Sequence, residues 1–368
     1  MKSYPAGRVQ RGARTLADLT TIQVGGPIDR FVAAEYEKDV IDTIVQADDT
    51  STPLLVIGGG SNILASDEPF HGTVLRDMRT RITTDSEIGT SDTLEVTAEA
   101  GLGWDEFVAW SVDEGLSGIE ALSGIPGTVG AATVQNIGAY GYDISSTLLR
   151  VRAYDRQERE IVDLTNAELG FGYRTSILKQ SIGEQWGPSP RYIVLEATFA
   201  LTQDSLSQPI AYQQLAQRLG VESGQRAASK EVRDGVLMLR ASKGMLLDDT
   251  DRDTYSCGSF FTNPVLTAEQ ASTLPPNAPR FSAGSTAVGA AAPEAGSVKT
   301  SAAWLIETAG FPAGYGDRRR AALSSKHCLA LTNRGEATGA DVRELADKIV
   351  AGVRGVFGIE LKPEPIIL

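Results

Sequence analysis

Cysteine and histidine are almost missing from this chain: Cys257, Cys328, His71 and His327 are all it has in 368 residues. Two cysteines build no disulfide framework, and so few His and Cys side chains leave little for a zinc site, so no metal is expected. Positive charge is also short. Lys and Arg number 34 against 47 Asp and Glu, a formal charge of -13, whereas proteins that grip nucleic acid cluster cations against phosphates. Nucleic acid is therefore not an expected partner, and the acidity reads as a solvated surface. No run has the length and apolarity of a membrane span. Lys2 and Arg8 are followed by no apolar stretch and cleavage site of an export signal. The expectation is a cytoplasmic chain with no membrane span and no obligate protein partner. What is present is globular in kind: 42% hydrophobic and 22% charged residues, in a length that exceeds one ordinary core and predicts two or three compact units.

Residues 30 to 77 read as strand (Phe31 to Ala34), helix (Lys38 to Ala47, apolar at Val40, Ile41, Ile44 and Val45), strand (Leu54 to Ile57), glycine turn and strand (Thr73 to Leu75), a small βαβ unit. Leu94, Val96 and Ala98 alternate as a half-buried strand. "WDEFVAWSVDEG" follows as a helix with acids in its first turn and Gly115 at its end. "LLRVRAYDRQEREIVDL" predicts a hairpin turning near Arg156 to Arg159, and "RYIVLEATFAL" a buried strand. Helices then take over, in "PIAYQQLAQRLG" and "SKEVRDGVLMLRASKG". Leu274 to Ser297, rich in Pro, Ala, Gly and Ser, reads as a long loop. Beyond it come a helix ending at Gly310 and a longer one carrying Val342, Leu345, Ala346, Ile349, Val353 and Val356 on one face.

Two glycine-rich stretches interrupt this pattern. "GGGSN" (Gly58, Gly59, Gly60, Ser61, Asn62) directly follows a strand; successive N–H groups in such a turn make a concave nest for phosphate oxygens, and the plain alternative is a tight β-turn. It is neither a Walker loop, lacking Gly-Lys-Ser/Thr, nor a Rossmann fingerprint, since no helix follows. "SGIPGTVGAATVQNIGAYG" (Ser123 to Gly141) holds five glycines in nineteen residues. Its Ile125, Val129, Val134 and Ile137 form an apolar side that a solvated loop does not need. Together the two stretches suit a ligand with an extended diphosphate and a flat apolar ring, a dinucleotide. Four shorter segments downstream, "FGYRTSILK", "LRASKG", "CGSFFTNP" and "LKPEP", carry Arg174, Lys243, Ser259 and Glu364. Taken singly these read as a surface ion pair, a helix-end cation, a turn hydroxyl and a solvated carboxylate. Cys257 reads as a packed thiol, since neither histidine forms a nucleophile signature with it.

Taken in order, "VIGGGSNIL", "SGIPGTVGAA..QNIGAYG", "GYRTSILK", "CGSFFTNP" and "LKPEP" resemble the UDP-N-acetylenolpyruvoylglucosamine reductases, flavoenzymes of peptidoglycan precursor synthesis, over nearly the whole chain. The resemblance implies an α+β fold with a two-lobed FAD-binding region of the vanillyl-alcohol-oxidase/p-cresol-methylhydroxylase type and a separate α+β substrate-binding domain. The lobes would span 1–80 and 81–240 and the substrate domain 241–356, with 357–368 returning near the active site. It implies FAD as cofactor, held by Gly58, Gly59, Gly60, Ser61, Asn62, Ser123, Gly124, Ile125, Pro126, Gly127, Gly130, Asn136, Gly138 and Gly141. NADPH would be co-substrate, and UDP-N-acetylglucosamine enolpyruvate the substrate reduced to UDP-N-acetylmuramate. The implied catalytic residues are Arg174, Ser259 and Glu364, and the substrate contacts Tyr173, Tyr212, Lys243 and Asn263. Tyr212 matches the tyrosine with which the longer family type closes over the substrate diphosphate. Two segments depart from the family pattern: "CLALTN" after His327, and "GYGDRRRAAL".

The chemistry agrees with that assignment. Hydride arriving at C3 of an enolpyruvyl group pushes negative charge onto C2 and its carboxylate, so a fixed cation such as Arg174 belongs there. Glu364 either adds a hydrogen bond, if kept protonated by burial, or orients the carboxylate. C2 then needs a proton, which Ser259 would give as general acid, relying on placement because a serine is intrinsically a poor acid. Two other readings compete. A flavin oxidase would share the glycine stretches without needing "GSFFTNP" and Glu364 together; a sugar-nucleotide sensor would use Lys243 and Tyr212 but no flavin.

Overall fold

The computed structural model describes residues 12–85, 92–183, 185–282 and 296–368. Its first layer is a three-stranded parallel sheet in which Phe70–Asp77 lies between Ile28–Ala34 and Leu54–Val56. The βαβ expectation is met in its elements, but the two strands flanking the helix are not neighbours; the third slots between them. The helix Glu37–Asp49 begins with Glu37 and Asp39 near its positive N-terminal end and buries Val40, Thr43, Ile44 and Ala47, one face at helical spacing. Leu54, Leu55, Val74 and Leu75 are buried, as the strands of a parallel sheet covered on both faces are. The glycine turn leads into a two-residue strand, Ile63–Leu64, too short to show any periodicity in sequence. It pairs in parallel with Ile366–Ile367 at the far end of the chain.

A six-stranded antiparallel sheet forms the second layer, in the path Glu160–Thr165, Leu148–Asp155, Tyr192–Gln203, Thr93–Glu99, Ile82–Asp85, with Leu116–Ser117 also paired to Tyr192–Gln203. The expected hairpin is there, Asp155 opposite Glu160, with Arg159 at φ 59° in its turn. The helix Trp104–Asp113 covers this sheet. Trp104, Phe107 and Phe199 are fully buried, and the two phenylalanine rings sit 5.1 Å apart, each such side chain contributing on the order of 2–3 kcal/mol by leaving water. An ion pair without solvent access joins this helix to Ser229–Ser242: Arg233 Nη1 donates to Asp105 Oδ1 at 2.6 Å.

The third region gathers Phe260, Phe261, Leu305, Ile306, Leu323 and Leu331 into a further core. It is covered by the helix Gly339–Phe357, which starts on a capping box between Thr338 and Asp341 and stops at Gly358 in the left-handed conformation. Five of the six expected apolar positions of this helix are buried; Val356 is 59% exposed, and its neighbour Phe357 is the one that packs inward, on the ring of Trp304. Two loop expectations change. Ser123 to Gly141 contains a short helix, Val129–Gln135, whose N-cap Thr128 Oγ1 accepts from Ala131 N. In Leu274 to Ser297, Phe281–Ser282 pairs with Val298–Lys299, while residues 283–295, with Ala287 to Ala295, lie outside the described residues. No helix among the described residues is long and apolar enough to cross a membrane, and among them no three His, Cys, Asp or Glu side chains are grouped to hold a metal ion.

Candidate active site

The two glycine-rich stretches, far apart in sequence, come together and both line one cavity of about 470 Å3, within the range of roughly 300–1,000 Å3 usual for small-molecule sites. Their closeness explains their composition. A Cβ on Gly58 would lie 2.7 Å from Thr128 Oγ1, and one on Gly60, at φ 63°, only 1.9 Å from Leu19 O. Side chains at either position would push the turn off its neighbours. Gly58, Gly59, Gly60, Ser61, Asn62, Ile125, Pro126, Gly127, Gly130 and Gly138 line the cavity. Ser123, Gly124, Asn136 and Gly141 do not. Ser123 Oγ donates to Glu120 O, and Gly124 is tied through its N–H to Asp105 Oδ1 and through its carbonyl to Arg240 Nε. Asn136 ends the short helix in the left-handed region, with its amide on Gly172 O. A bare backbone cradle walled by Ile125, Val134, Ile137 and Ile193 fits a group with a diphosphate and a flat ring system.

Arg174, Ser259 and Glu364 line the same cavity. Arg174 sits at φ 56°, a left-handed backbone uncommon outside glycine, in a tight turn where Gly172 and Thr175 exchange backbone hydrogen bonds. The turn aims its guanidinium inward. Nη2 donates to Gly138 O at 2.5 Å and Nη1 to Asn136 O at 3.3 Å, while Nε lies 3.3 Å from Glu364 Oε1. That last approach is an ion pair without hydrogen-bond alignment, so Arg174 Nε is a buried donor with no hydrogen-bond acceptor among the described residues. Buried donors are rarely left so. Glu364 is held from several sides: Gln135 Nε2 donates to Oε1 at 3.0 Å, Lys179 Nζ and Asn62 Nδ2 reach its carbonyl, and its N–H donates to Phe260 O. Every partner of its carboxylate is a donor, which suits a group that accepts and orients.

More cations line the cavity, against the acidity of the whole chain. Arg240 and Lys243 line it, close to Tyr140 and Tyr212, whose rings meet edge to face at 5.3 Å. Burial holds both the Arg240 and the Lys243 pKa below their usual values, and Arg240 adds to the shift at Lys243. Lys243 Nζ and Tyr212 OH both donate to Gln214 Oε1 at 3.4 Å. Tyr173 and Asn263 do not line the cavity. Tyr173 stands beside it with the Lys299 ammonium 4.8 Å from its ring, and Asn263 Oδ1 accepts from Ala302 N at the start of the helix Ala302–Thr308. Cys257 lines the wall as an inert thiol: its Sγ donates to Ile63 O and burial pushes its pKa up to about 12.

Besides Arg240, three further residues belong to this constellation and were not singled out from sequence. Gln135 and Lys179 hold Glu364, and His327 Nε2 lies 3.4 Å from Ser259 Oγ. Lys179 stood within the quoted segment with Arg174, a signal that was available. His327 stood just before the departing segment "CLALTN", but nothing there pointed to Ser259, because the two meet only through folding.

Residues 250–368 match the family described as UDP-N-acetylenolpyruvoylglucosamine reductase, C-terminal domain, and residues 28–165 the FAD binding domain family. Among relatives, the UDP-N-acetylenolpyruvoylglucosamine reductase of Thermobifida fusca is 48% identical over 96% of this chain and 96% of that protein. That of Mycobacterium marinum is 44% identical over 100% and 99%. A solved structure of a UDP-N-acetylenolpyruvylglucosamine reductase from Thermus caldophilus shares the fold with a TM-score of 0.60 at 24% identity, covering 96% of this chain and 97% of that one.

Proposed function

The chain belongs to the UDP-N-acetylenolpyruvoylglucosamine reductase family, and on that footing we propose that it reduces UDP-N-acetylglucosamine enolpyruvate to UDP-N-acetylmuramate, with FAD bound and NADPH as the source of electrons. The observation that carries this reading is that Arg174, Ser259 and Glu364 line the same cavity as the two glycine stretches.

When bound, FAD supplies the hydride chemistry that no side chain can; Gly58 to Asn62 and Ile125 to Gly130 are the residues to hold it. The chain's own residues do the rest. The Arg174 guanidinium, fixed on two carbonyls, meets the substrate carboxylate and the negative charge that gathers there. Glu364 keeps the guanidinium in place and accepts from Gln135. The Ser259 hydroxyl gives the proton to C2. Lys243 and Arg240 supply the cations for a diphosphate, and Tyr212 closes over it. The proposal includes flavin-binding lobes at 1–80 and 81–240, a substrate domain at 241–356 and the tail 357–368. The apolar core around Phe199 lies wholly within 81–240; the core around Leu54 also takes in Ile193 and Leu195, and that around Leu305 takes in Ile22, Val24 and Leu64, so the proposed units pack closely on one another.

Anaerobic stopped-flow absorbance tests the reading. Protein reduced with NADPH and mixed with UDP-N-acetylglucosamine enolpyruvate should recover the oxidised-flavin spectrum rapidly. A flavin that stays reduced until oxygen enters would instead mark an oxidase, and a colourless protein a sensor.

A further inference from the structure

Ser259 and His327 lie 68 residues apart, on two turns of the third region that one backbone bond locks together: Phe260 N donates to Leu329 O at 2.7 Å. Both side chains line the cavity, with Ser259 Oγ 3.4 Å from His327 Nε2. A lone serine hydroxyl gives up its proton reluctantly, and the alkoxide left behind has to be stabilised and then refilled. We propose that His327 is the positioning residue of the protonation step: its Nε2–H donates to Ser259 Oγ, turning the hydroxyl hydrogen toward the cavity, and afterwards relays a proton from water back to the serine.

This inference rests on the function proposed above, and its steps balance. The Ser259 O–H bond breaks as a C–H bond forms at the substrate carbon, and the negative charge passes from that carbon to Oγ. The Nε2–H bond then breaks and the Oγ–H bond reforms, while Nδ1 takes a proton from water. Hydroxide leaves to solvent, and the imidazole is left in its other neutral tautomer, which exchange with water resets. A relay of this kind needs a neutral ring, since an imidazolium has no vacant nitrogen to receive the incoming proton. The surroundings provide that. Burial first, then the Lys243 and Arg240 cations, bring the His327 pKa down to about 4, and the same two cations favour a transient alkoxide on Ser259. His327 itself is half-buried, next to the exposed Ser325 and Lys326, so water lies within reach of the turn that carries it.

The test uses spectroscopy and kinetics together. His71 is exposed and, among the described residues, pairs with Asp29, so His71→Asn leaves His327 as the sole imidazole. Its 15N resonances in the unsubstituted site at neutral pH should show a neutral ring protonated at Nε2, with the Nε2 resonance moving on Ser259→Ala. An unprotonated Nε2 overturns the proposal even if every His327 variant misfolds. In stopped flow, His327→Ala should slow reoxidation of the reduced flavin by the enolpyruvyl substrate by about 100-fold. His327→Gln, which keeps a donor but cannot relay, should slow it by about 10-fold, and reduction by NADPH should stay within about twofold in both. Equal slowing of the two half-reactions, or none, overturns the relay. If the unsubstituted protein is itself not reoxidised by that substrate, the functional reading fails and the relay with it; unsubstituted protein that reacts alongside variants that react as fast defeats the relay alone.

Discussion

Ser259 and His327 concentrate the residue-scale physics of this site: a hydroxyl that has to act as an acid, and an imidazole that burial and nearby cations keep neutral. Removing the hydroxyl isolates its role. Ser259→Ala should slow flavin reoxidation by the enolpyruvyl substrate by about 100-fold to 10,000-fold, the range of a lost general acid, while reduction by NADPH stays within about twofold. Single-turnover traces of each half-reaction read this directly, and equal losses in both would remove the acid role. His327 also leaves a mark on stability. Its folded pKa of about 4 lies below the ordinary histidine value of 6.5, so between those values the unfolded chain binds a proton that the folded one refuses. Stability is therefore whole above about pH 6.5 and falls as the pH drops toward 4, by at most about 3 kcal/mol from this group. Asp155, Asp253 and Glu37, whose pKa values are lowered in the fold, add their own losses at the acid end. The informative window is thus pH 6.5 to 5, where His327→Gln should flatten the fall in the urea midpoint.

At the scale of elements, the cradle depends on a turn and a short helix touching without side chains between them. Gly58 meets Thr128 and Ala131 where a Cβ would stand 2.7 and 2.9 Å from their atoms. Gly58→Val should push the turn and the helix Val129–Gln135 apart and fill the space meant for the cofactor. The expected result is a protein that folds but is purified with little or no flavin, read from the ratio of visible to ultraviolet absorbance beside an unchanged far-ultraviolet circular dichroism spectrum. Normal flavin content would show that the cradle does not hold the cofactor.

For the whole molecule, the last strand is what closes the site. Ile366–Ile367 pairs with Ile63–Leu64, directly after the glycine turn, so the chain's end and its first glycine stretch are neighbours, and Glu364 is delivered beside Arg174. Deleting residues 364–368 removes two parallel backbone pairings and the partner of the guanidinium at once. The truncated protein should lose turnover by at least about 100-fold, as expected when a group aligned on the reacting centre is lost, and melt some degrees lower, since about 1 kcal/mol shifts Tm by 2–4 °C in proteins of 150–250 residues. Restoring the strand with Glu364→Gln alone should recover the melting temperature but not the turnover; recovery of both would take Glu364 out of the chemistry.

Local patterns determined much of this by themselves. Apolar spacing along Glu37–Asp49 and Gly339–Phe357, alternation in Thr93–Glu99 and the run of Tyr192–Gln203 all act within a few residues, so their elements were legible, as were the glycine turns whose backbone needs no side chain to declare itself. The order of motifs was enough to name the family. Tertiary structure alone decided the rest: that Phe70–Asp77 enters between the flanking strands, that Ile63–Leu64 finds its partner at the C-terminus, that Gln135 and Lys179 hold Glu364 and that His327 stands beside Ser259. Each of these is a contact between distant positions. Its free energy comes from desolvation and alignment that exist only once the chain has closed, and no local pattern of residues records it.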